Sequence, residues 1–176
     1  MTTPFRIELT PHPDSPPSPV QRFEVDVART GTLLSLTYRA FGAISAVRVP
    51  ANAPSGRADG LWRRTCVEAF VRGEGPGYWE LNFSPSSQWA AYRFETYRAA
   101  MADAALEPAE VAFRAERDRL EVSAAIDLAV VPSATWNLGL SAVVEDAEGL
   151  ISYWASRHPP GKPDFHHPDS FILDLP

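Results

Sequence analysis

The chain has 176 residues, of which 45% are hydrophobic and 22% are charged. This composition is typical of a soluble globular protein, and the length suits a single domain over residues 1–176. The formal net charge of −6 argues against a nucleic-acid or anionic-membrane partner, because such surfaces are bound through concentrated Lys and Arg.

The cysteine content and the absence of recognisable targeting segments limit where the protein is expected to act. Cys66 is the only cysteine, which excludes an internal disulfide, and its place in an alternating segment predicts a small core residue. Residues 1–8 lack a basic region followed by an apolar run, so we expect no secretory signal. No apolar stretch approaches the roughly 20 residues that span a bilayer. Cytoplasmic localisation is therefore expected.

Taken in chain order, the first half predicts short strands separated by turns. Residues 5–9 alternate as a first strand, and the proline-rich connector at residues 11–19 then stays extended. A turn at Gly31 joins the next two alternating segments into a hairpin. The strands expected after the first are residues 23–27, 34–38, 44–49, 66–71, 78–83 and 88–94.

The second half continues the same pattern with two helical interruptions. Ala and Met favour a short helix at residues 97–105, and one helical turn is expected at residues 127–131. The strands expected here are residues 111–114, 120–126, 136–145, 150–155 and 171–175.

Short, regularly spaced strands with turn residues between them predict an all-β fold. An antiparallel two-sheet β-sandwich of about ten strands accommodates them. The proline-rich connector is too close to the terminus to separate a second domain.

The stretch from Asp59 to Val71 predicts the candidate site. An Asp-Gly turn precedes Trp62, and the following strand places Glu68 among apolar residues on both faces. A carboxylate there needs partners or a wet cavity, because an unpaired buried charge is costly. We therefore predict that Trp62 and Glu68 line a binding site. The alternative is a solvent-facing Glu68 and a Trp62 in the core.

Several segments of the chain resemble the DOMON-like superfamily, in particular its branch similar to family 9 carbohydrate-binding modules. They are residues 59–62, 66–71, 78–85 and 151–155, within a likeness that covers roughly residues 44–175. The most specific feature is Trp62 followed six residues later by Glu68. The resemblance implies a jelly-roll or immunoglobulin-like sandwich that binds a sugar, or in other branches haem, without chemistry of its own.

In the sugar-binding members two tryptophans clamp a pyranose, and charged or amide side chains bind its hydroxyl groups. The resemblance implies these roles for Trp62 and Glu68, and by position alone for Arg93 and Trp154. Haem-binding members use Met and His as axial ligands.

Hairpin pairing suggests further site residues. Adjacent strands place Glu68 beside Glu80 or Asn82 on one face, if the register allows it. Arg93, on the face shared with Trp89 that we expect to be open, would compensate their charge and donate forked hydrogen bonds. These groups suit a small polar ligand such as a sugar, and they also fit a structural ion pair across the sheet.

A proline-rich loop at residues 157–170 holds three of the four histidines. Asp164 and His166 are candidate metal ligands. The alternative is a structured loop that covers the end of the sandwich and closes over the ligand, with His158 or His166 donating a hydrogen bond.

Sequence motifs of catalysis are missing, because the chain has no nucleophile elbow, phosphate loop or zinc-protease motif. The sequence therefore predicts a non-catalytic carbohydrate-binding module without a cofactor. Three alternatives stay open: a haem or metal binder that uses the 158–167 loop, with Met1 and Met101 as the available methionines; a glycosidase that uses Glu68 and Glu80; and a structural partner-binding domain.

Overall fold

The computed structural model describes residues 5–131 and 133–176. The strands of the first half are β1 (Phe5–Pro11), β2 (Val20–Thr30), β3 (Leu33–Gly42), β4 (Gly56–Arg57), β5 (Cys66–Arg72), β6 (Tyr78–Phe83) and β7 (Gln88–Phe94). Those of the second half are β8 (Ala102–Asp103), β9 (Glu110–Ala115), β10 (Arg119–Asp127), β11 (Trp136–Glu145), β12 (Ile151–Ala155) and β13 (Leu173–Leu175). Short 3-10 helices lie at Ile44–Ala46, Leu61–Arg63 and Pro168–Ser170. Within these ranges no helix is long and apolar enough to cross a membrane.

The strands form one hydrogen-bonded path in the order β4-β7-β6-β5-β11-β12-β1-β2-β3-β10-β9, with β13 beside β11 and β8 beside β7. We call β2-β3-β10-β9 the front section and β4-β7-β6-β5-β11-β12 the back section. β1 joins them, since Leu9 pairs with Phe23 of β2 whereas Thr10 pairs with Ala155 of β12. The all-β prediction is confirmed, and the strands form one continuous hydrogen-bonded path through β1, where the sequence predicted two separate sheets.

One apolar core is shared by both sections. Val25 and Leu36 of the front section and Leu81 of the back section are at most 2% exposed and belong to the same cluster. Across this core the hydroxyl of Tyr38 in β3 donates a hydrogen bond to the backbone oxygen of Glu68 in β5, at 2.6 Å. The back section therefore turns one face to the core and leaves its other face for a site.

Two predicted elements are wrong. Residues 44–49 contain the 3-10 helix Ile44–Ala46 instead of a strand. Residues 97–105 are not helical, because Arg98 and Ala100 have φ angles of 52° and 53°, a left-handed conformation that an α-helix does not tolerate. The end of this segment instead forms β8, which pairs with β7.

Candidate functional site

A cavity of about 610 Å³ lies on the face of the back section that points away from the shared core. Its floor comes from side chains of β5, β6, β7, β11 and β12, because alternate residues of a strand point to opposite faces. The lining residues are Trp62, Arg63, Glu68, Glu80, Phe94, Arg98, Met101, Val143, Ile151, Tyr153, Pro163, Phe165 and His166.

Residues 156–172, which we call the covering segment, pack over this face. Phe165 and Phe171 each lie with their ring centroids 6.4 Å from that of Phe70 in β5. Together with aromatic residues of β6 and β7 they form a second apolar cluster, separate from the main core. This cluster fixes the covering segment beside the cavity.

Trp62 forms one wall and is positioned by the turn before it. Gly60 has a φ of 74°, the left-handed conformation that glycine adopts without strain, and it starts the 3-10 helix that carries Trp62. The indole meets Tyr92 edge to face, at a centroid distance of 5.9 Å. The Tyr92 hydroxyl in turn donates to Asp59 at 2.6 Å. The Asp-Gly turn thus anchors Trp62 to β7.

The floor contains two acidic side chains on neighbouring strands. The register of β5 and β6 pairs Glu68 with Asn82 and Phe70 with Glu80, so both acids are on the cavity face. Glu68 is 3% exposed and Glu80 is 5% exposed. Asn82 is fully buried and donates a hydrogen bond to Glu80 Oε1 at 2.9 Å.

Burial is the main influence on the acidity of both groups. Desolvation raises the pKa of Glu68 well above its ordinary value, and the charge of Glu80 raises it further. Burial also raises the pKa of Glu80, against the hydrogen bond from Asn82. Two buried acids that line one cavity favour the protonated form of at least one of them.

His166 closes the cavity from the covering segment. Its Nδ1 lies 2.8 Å from the hydroxyl of Tyr78, and its Nε2 lies 3.6 Å from Glu80 Oε2. Burial, followed by the nearby charge of Arg98, lowers the pKa of His166 to about 4. The imidazole is therefore neutral at physiological pH and serves as a hydrogen-bonding group.

Four predicted site residues do not line the cavity, and one of them is Asn82, which instead supports Glu80 through its hydrogen bond. Trp154 is 3% exposed in the main core, with its ring 5.9 Å from that of Phe23. Arg93 is exposed and lies on the core-facing side of β7, with its guanidinium 5.5 Å from the Trp79 ring. His158 donates from Nε2 to the backbone oxygen of Thr10 at 2.8 Å, at the start of the covering segment.

Trp89, which we predicted on an open face, belongs to the main core instead and is 5% exposed. Trp79 and Trp136 belong to the same core, as predicted.

The candidate metal ligands have other partners. Asp164 accepts hydrogen bonds from Arg98 at 2.8 Å and from Tyr97 at 2.5 Å. Burial opposes ionisation of Asp164, but these bonds keep its pKa below the ordinary value. Within residues 5–131 and 133–176 no group of three or more His, Cys, Asp or Glu side chains is arranged to hold a metal ion.

Several residues that line the cavity were not predicted from the sequence. Tyr153 precedes the core residue Trp154 in β12, so the two side chains point to opposite faces. The hairpin register alone would therefore have placed Tyr153 on the cavity face. Arg98, Met101 and Phe165 reach the cavity from irregular segments, where no periodic pattern indicates which side chains point inward.

No protein-family model and no curated protein matches this chain. Solved structures do match it. A provisionally described carbohydrate-binding protein from Bacteroides uniformis ATCC 8492 superposes with a TM-score of 0.70 at 19% identity, covering 98% of this chain and 84% of that one.

Two further matches are family 9 carbohydrate-binding modules from Caldicellulosiruptor kristjanssonii. The module in complex with cellotriose has a TM-score of 0.58 at 11% identity and covers 96% of this chain and 81% of that chain. The fold resembles that of family 9 modules. The module in complex with glucose has a TM-score of 0.52 at 11% identity, covering 88% of this chain and 75% of that chain. At these identities the similarity establishes the fold. It does not identify a ligand, which has to be inferred from the residues of the site.

Proposed function

We propose that this protein binds a carbohydrate in the cavity lined by Trp62, Glu68 and Glu80, as a DOMON-like, sandwich-shaped module. The observation that carries the proposal is the combination of aromatic walls with buried polar groups in one cavity of about 610 Å³. That volume falls in the range of small-molecule sites. The similarity to sugar-binding modules supports the same conclusion.

The cavity suits both faces of a sugar. A pyranose presents apolar C–H groups, which pack on flat rings such as those of Trp62 and Tyr153. Its hydroxyl groups both donate and accept, which matches Glu68, Glu80 and the neutral His166. Asn82 supports the floor by holding Glu80 in place at 2.9 Å.

Calorimetric titration of a panel of mono- and disaccharides tests the proposal. A ligand present at 100 times its Kd should also stabilise the folded state by about 2.7 kcal/mol, which a melting experiment detects. We expect Trp62→Ala to weaken binding about tenfold or more, because the stacking wall is lost. Phe5→Ala is the matched control, since this aromatic is 42% exposed and lies on β1. Unchanged affinity in Trp62→Ala, or no bound sugar in a broad panel, would contradict the proposal.

A haem site is a second candidate, favoured by one observation. Met101 and His166, the residue types that ligate haem iron, line the same cavity. The neutral His166 can offer Nε2 as a ligand if Nδ1 carries the proton and donates it to Tyr78. Met1, the other methionine, lies outside the described residues.

Titration with haem distinguishes this candidate from sugar binding. A haem site predicts a Soret band that shifts when His166→Ala or Met101→Ala is introduced. A spectrum identical to that of free haem would exclude it.

A further inference from the structure

The polar floor of the cavity is acidic, and burial raises the pKa of Glu80 although the charge of Arg98, which lines the same cavity, lowers it. Within the described residues neither Glu68 nor Glu80 forms an ion pair with Lys or Arg, and the nearest imidazole, on His166, is neutral. Among the described residues the side-chain carboxylate of Glu68 accepts only one weak hydrogen bond, from the Ser141 hydroxyl at 3.5 Å. A buried carboxylate without a cation is unfavourable unless it takes up a proton or a ligand supplies the positive charge.

Asn82, which does not itself line the cavity but pairs with Glu68 in the register of β5 and β6, provides a further observation. Its Oδ1 is buried and has no hydrogen-bond partner among the described residues, while its Nδ2 is already bonded to Glu80. Buried acceptors of this kind are normally satisfied. When Glu68 and Glu80 are ionised, the floor therefore presents acceptors without donors. An ammonium group is the complement, because it carries three donors and no acceptor.

The aromatic walls fit a cation equally well. Trp62, Tyr153 and Phe165 line the cavity above the two acids, and ring faces attract positive charge. Of the two arginines in the lining, Arg98 forms its ion pair with Asp164 at 2.8 Å while its charge also acts on Glu80, and Arg63 is exposed. Their charge could instead attract an anionic sugar, which the experiment must distinguish.

We propose that the ligand is a sugar bearing a protonated amino group, with the ammonium held between Glu68 and Glu80. This inference rests on the proposed carbohydrate-binding function and assigns its ligand class. The ammonium supplies the missing positive charge and three donors, and the pyranose ring packs on Trp62. A charge-assisted contact of this kind is about twice as strong as a neutral one.

Calorimetry with matched sugars tests the inference. The probes are glucosamine, glucose, N-acetylglucosamine and glucuronic acid, titrated at about pH 6, where an aliphatic amine is protonated. We expect glucosamine to bind about tenfold or more tightly than the two neutral sugars, and glucuronic acid to bind most weakly. Binding of glucosamine should also release protons from the floor, visible as a dependence of the heat on the ionisation enthalpy of the buffer.

Isosteric variants localise the effect. Glu68→Gln and Glu80→Gln remove one negative charge each, so the affinity ratio of glucosamine to glucose should fall toward one and proton release should diminish. Glu74→Gln is the control, because Glu74 is exposed in the loop between β5 and β6, and it should keep the wild-type ratio.

The outcomes separate this inference from the proposed function. Equal affinity for glucose and glucosamine, or preference for glucuronic acid, overturns the amino-sugar assignment and leaves carbohydrate binding in place. A preference for glucosamine that survives in both Gln variants also overturns it. If cyclohexylamine binds while no sugar does, both the sugar assignment and the proposed function fail.

Discussion

At the scale of single residues, Glu68 links the candidate site to the stability of the fold. Burial, and then the charge of Glu80, raises its folded-state pKa well above the unfolded value of 4.5. The folded protein therefore holds this proton more tightly than the unfolded chain does. The resulting stabilisation is fully present below about pH 4.5 and is lost as the pH rises through the folded-state pKa.

We predict that Glu68→Gln makes the protein more stable at alkaline pH. The amide keeps the shape of the side chain and cannot ionise, so the cost of a buried charge disappears. The gain in the free energy of unfolding should be about 1–3 kcal/mol at high pH and should shrink as the pH falls toward 4.5. Urea unfolding at a series of pH values measures it, with the exposed Glu74→Gln as reference. A difference between variant and wild type that does not change with pH would contradict the prediction.

The sequence placed some cavity residues and misplaced others for a definable reason. Alternation in β5 and β6 assigns Glu68 and Glu80 each to one face of its own strand, and the register that pairs Phe70 with Glu80 makes it the same face. Arg93 was misplaced because its face depends on the register of the β6–β7 hairpin. That register pairs Leu81 with Ala91, so Arg93 follows the core side of β7. A shift of one residue in the turn would have reversed this assignment, and turn geometry is weakly encoded.

At the scale of elements, the strands were largely predictable and the segments around the cavity were not. Alternation identified the hairpins of β2 with β3 and of β9 with β10, because each strand has one face in the core. The covering segment has no such period. Its position depends on contacts distant in sequence, such as the bond from the Ile172 N–H to the backbone oxygen of Leu138 at 3.0 Å.

Gly139 allows the covering segment to approach β11. A Cβ at this position would lie 3.0 Å from the backbone oxygen of Ser170, which is closer than ordinary van der Waals contact. Gly139→Ala should therefore push the covering segment outward and lower the free energy of unfolding by about 1–3 kcal/mol. Sugar affinity should fall as well, since His166 and Phe165 belong to the same segment.

Thermal unfolding, calorimetry and hydrogen exchange measure these effects. For a chain of this size the melting temperature should fall by about 2–4 °C per kcal/mol, with faster exchange concentrated in the covering segment. Gly56→Ala is the control, because a Cβ there meets nothing within 4 Å. If the two variants melt alike, Gly139 has no such packing role.

At the scale of the whole molecule, the site depends on how the two sections are joined. β1 hydrogen-bonds to both sections, and the main core draws side chains from both. The backbone of Glu68 itself accepts the hydrogen bond from Tyr38 across the core. The floor of the cavity is therefore coupled to the front section, although no front-section residue lines it.

This coupling predicts one cooperative unfolding transition, which also tests the sequence-based expectation of a single domain. Tryptophan fluorescence, dominated by buried indoles such as Trp136 and Trp154, should change at the same urea concentration as the far-ultraviolet circular dichroism of the strands.

Tyr38→Phe removes only the hydroxyl, leaves the Glu68 carbonyl without that donor, and should lower the free energy of unfolding by about 1–3 kcal/mol. Because the bond joins the sections, both signals should shift together by the same amount. Separate midpoints, or a shift in one signal alone, would mean that the sections unfold independently and that the cavity can open while the front section stays folded.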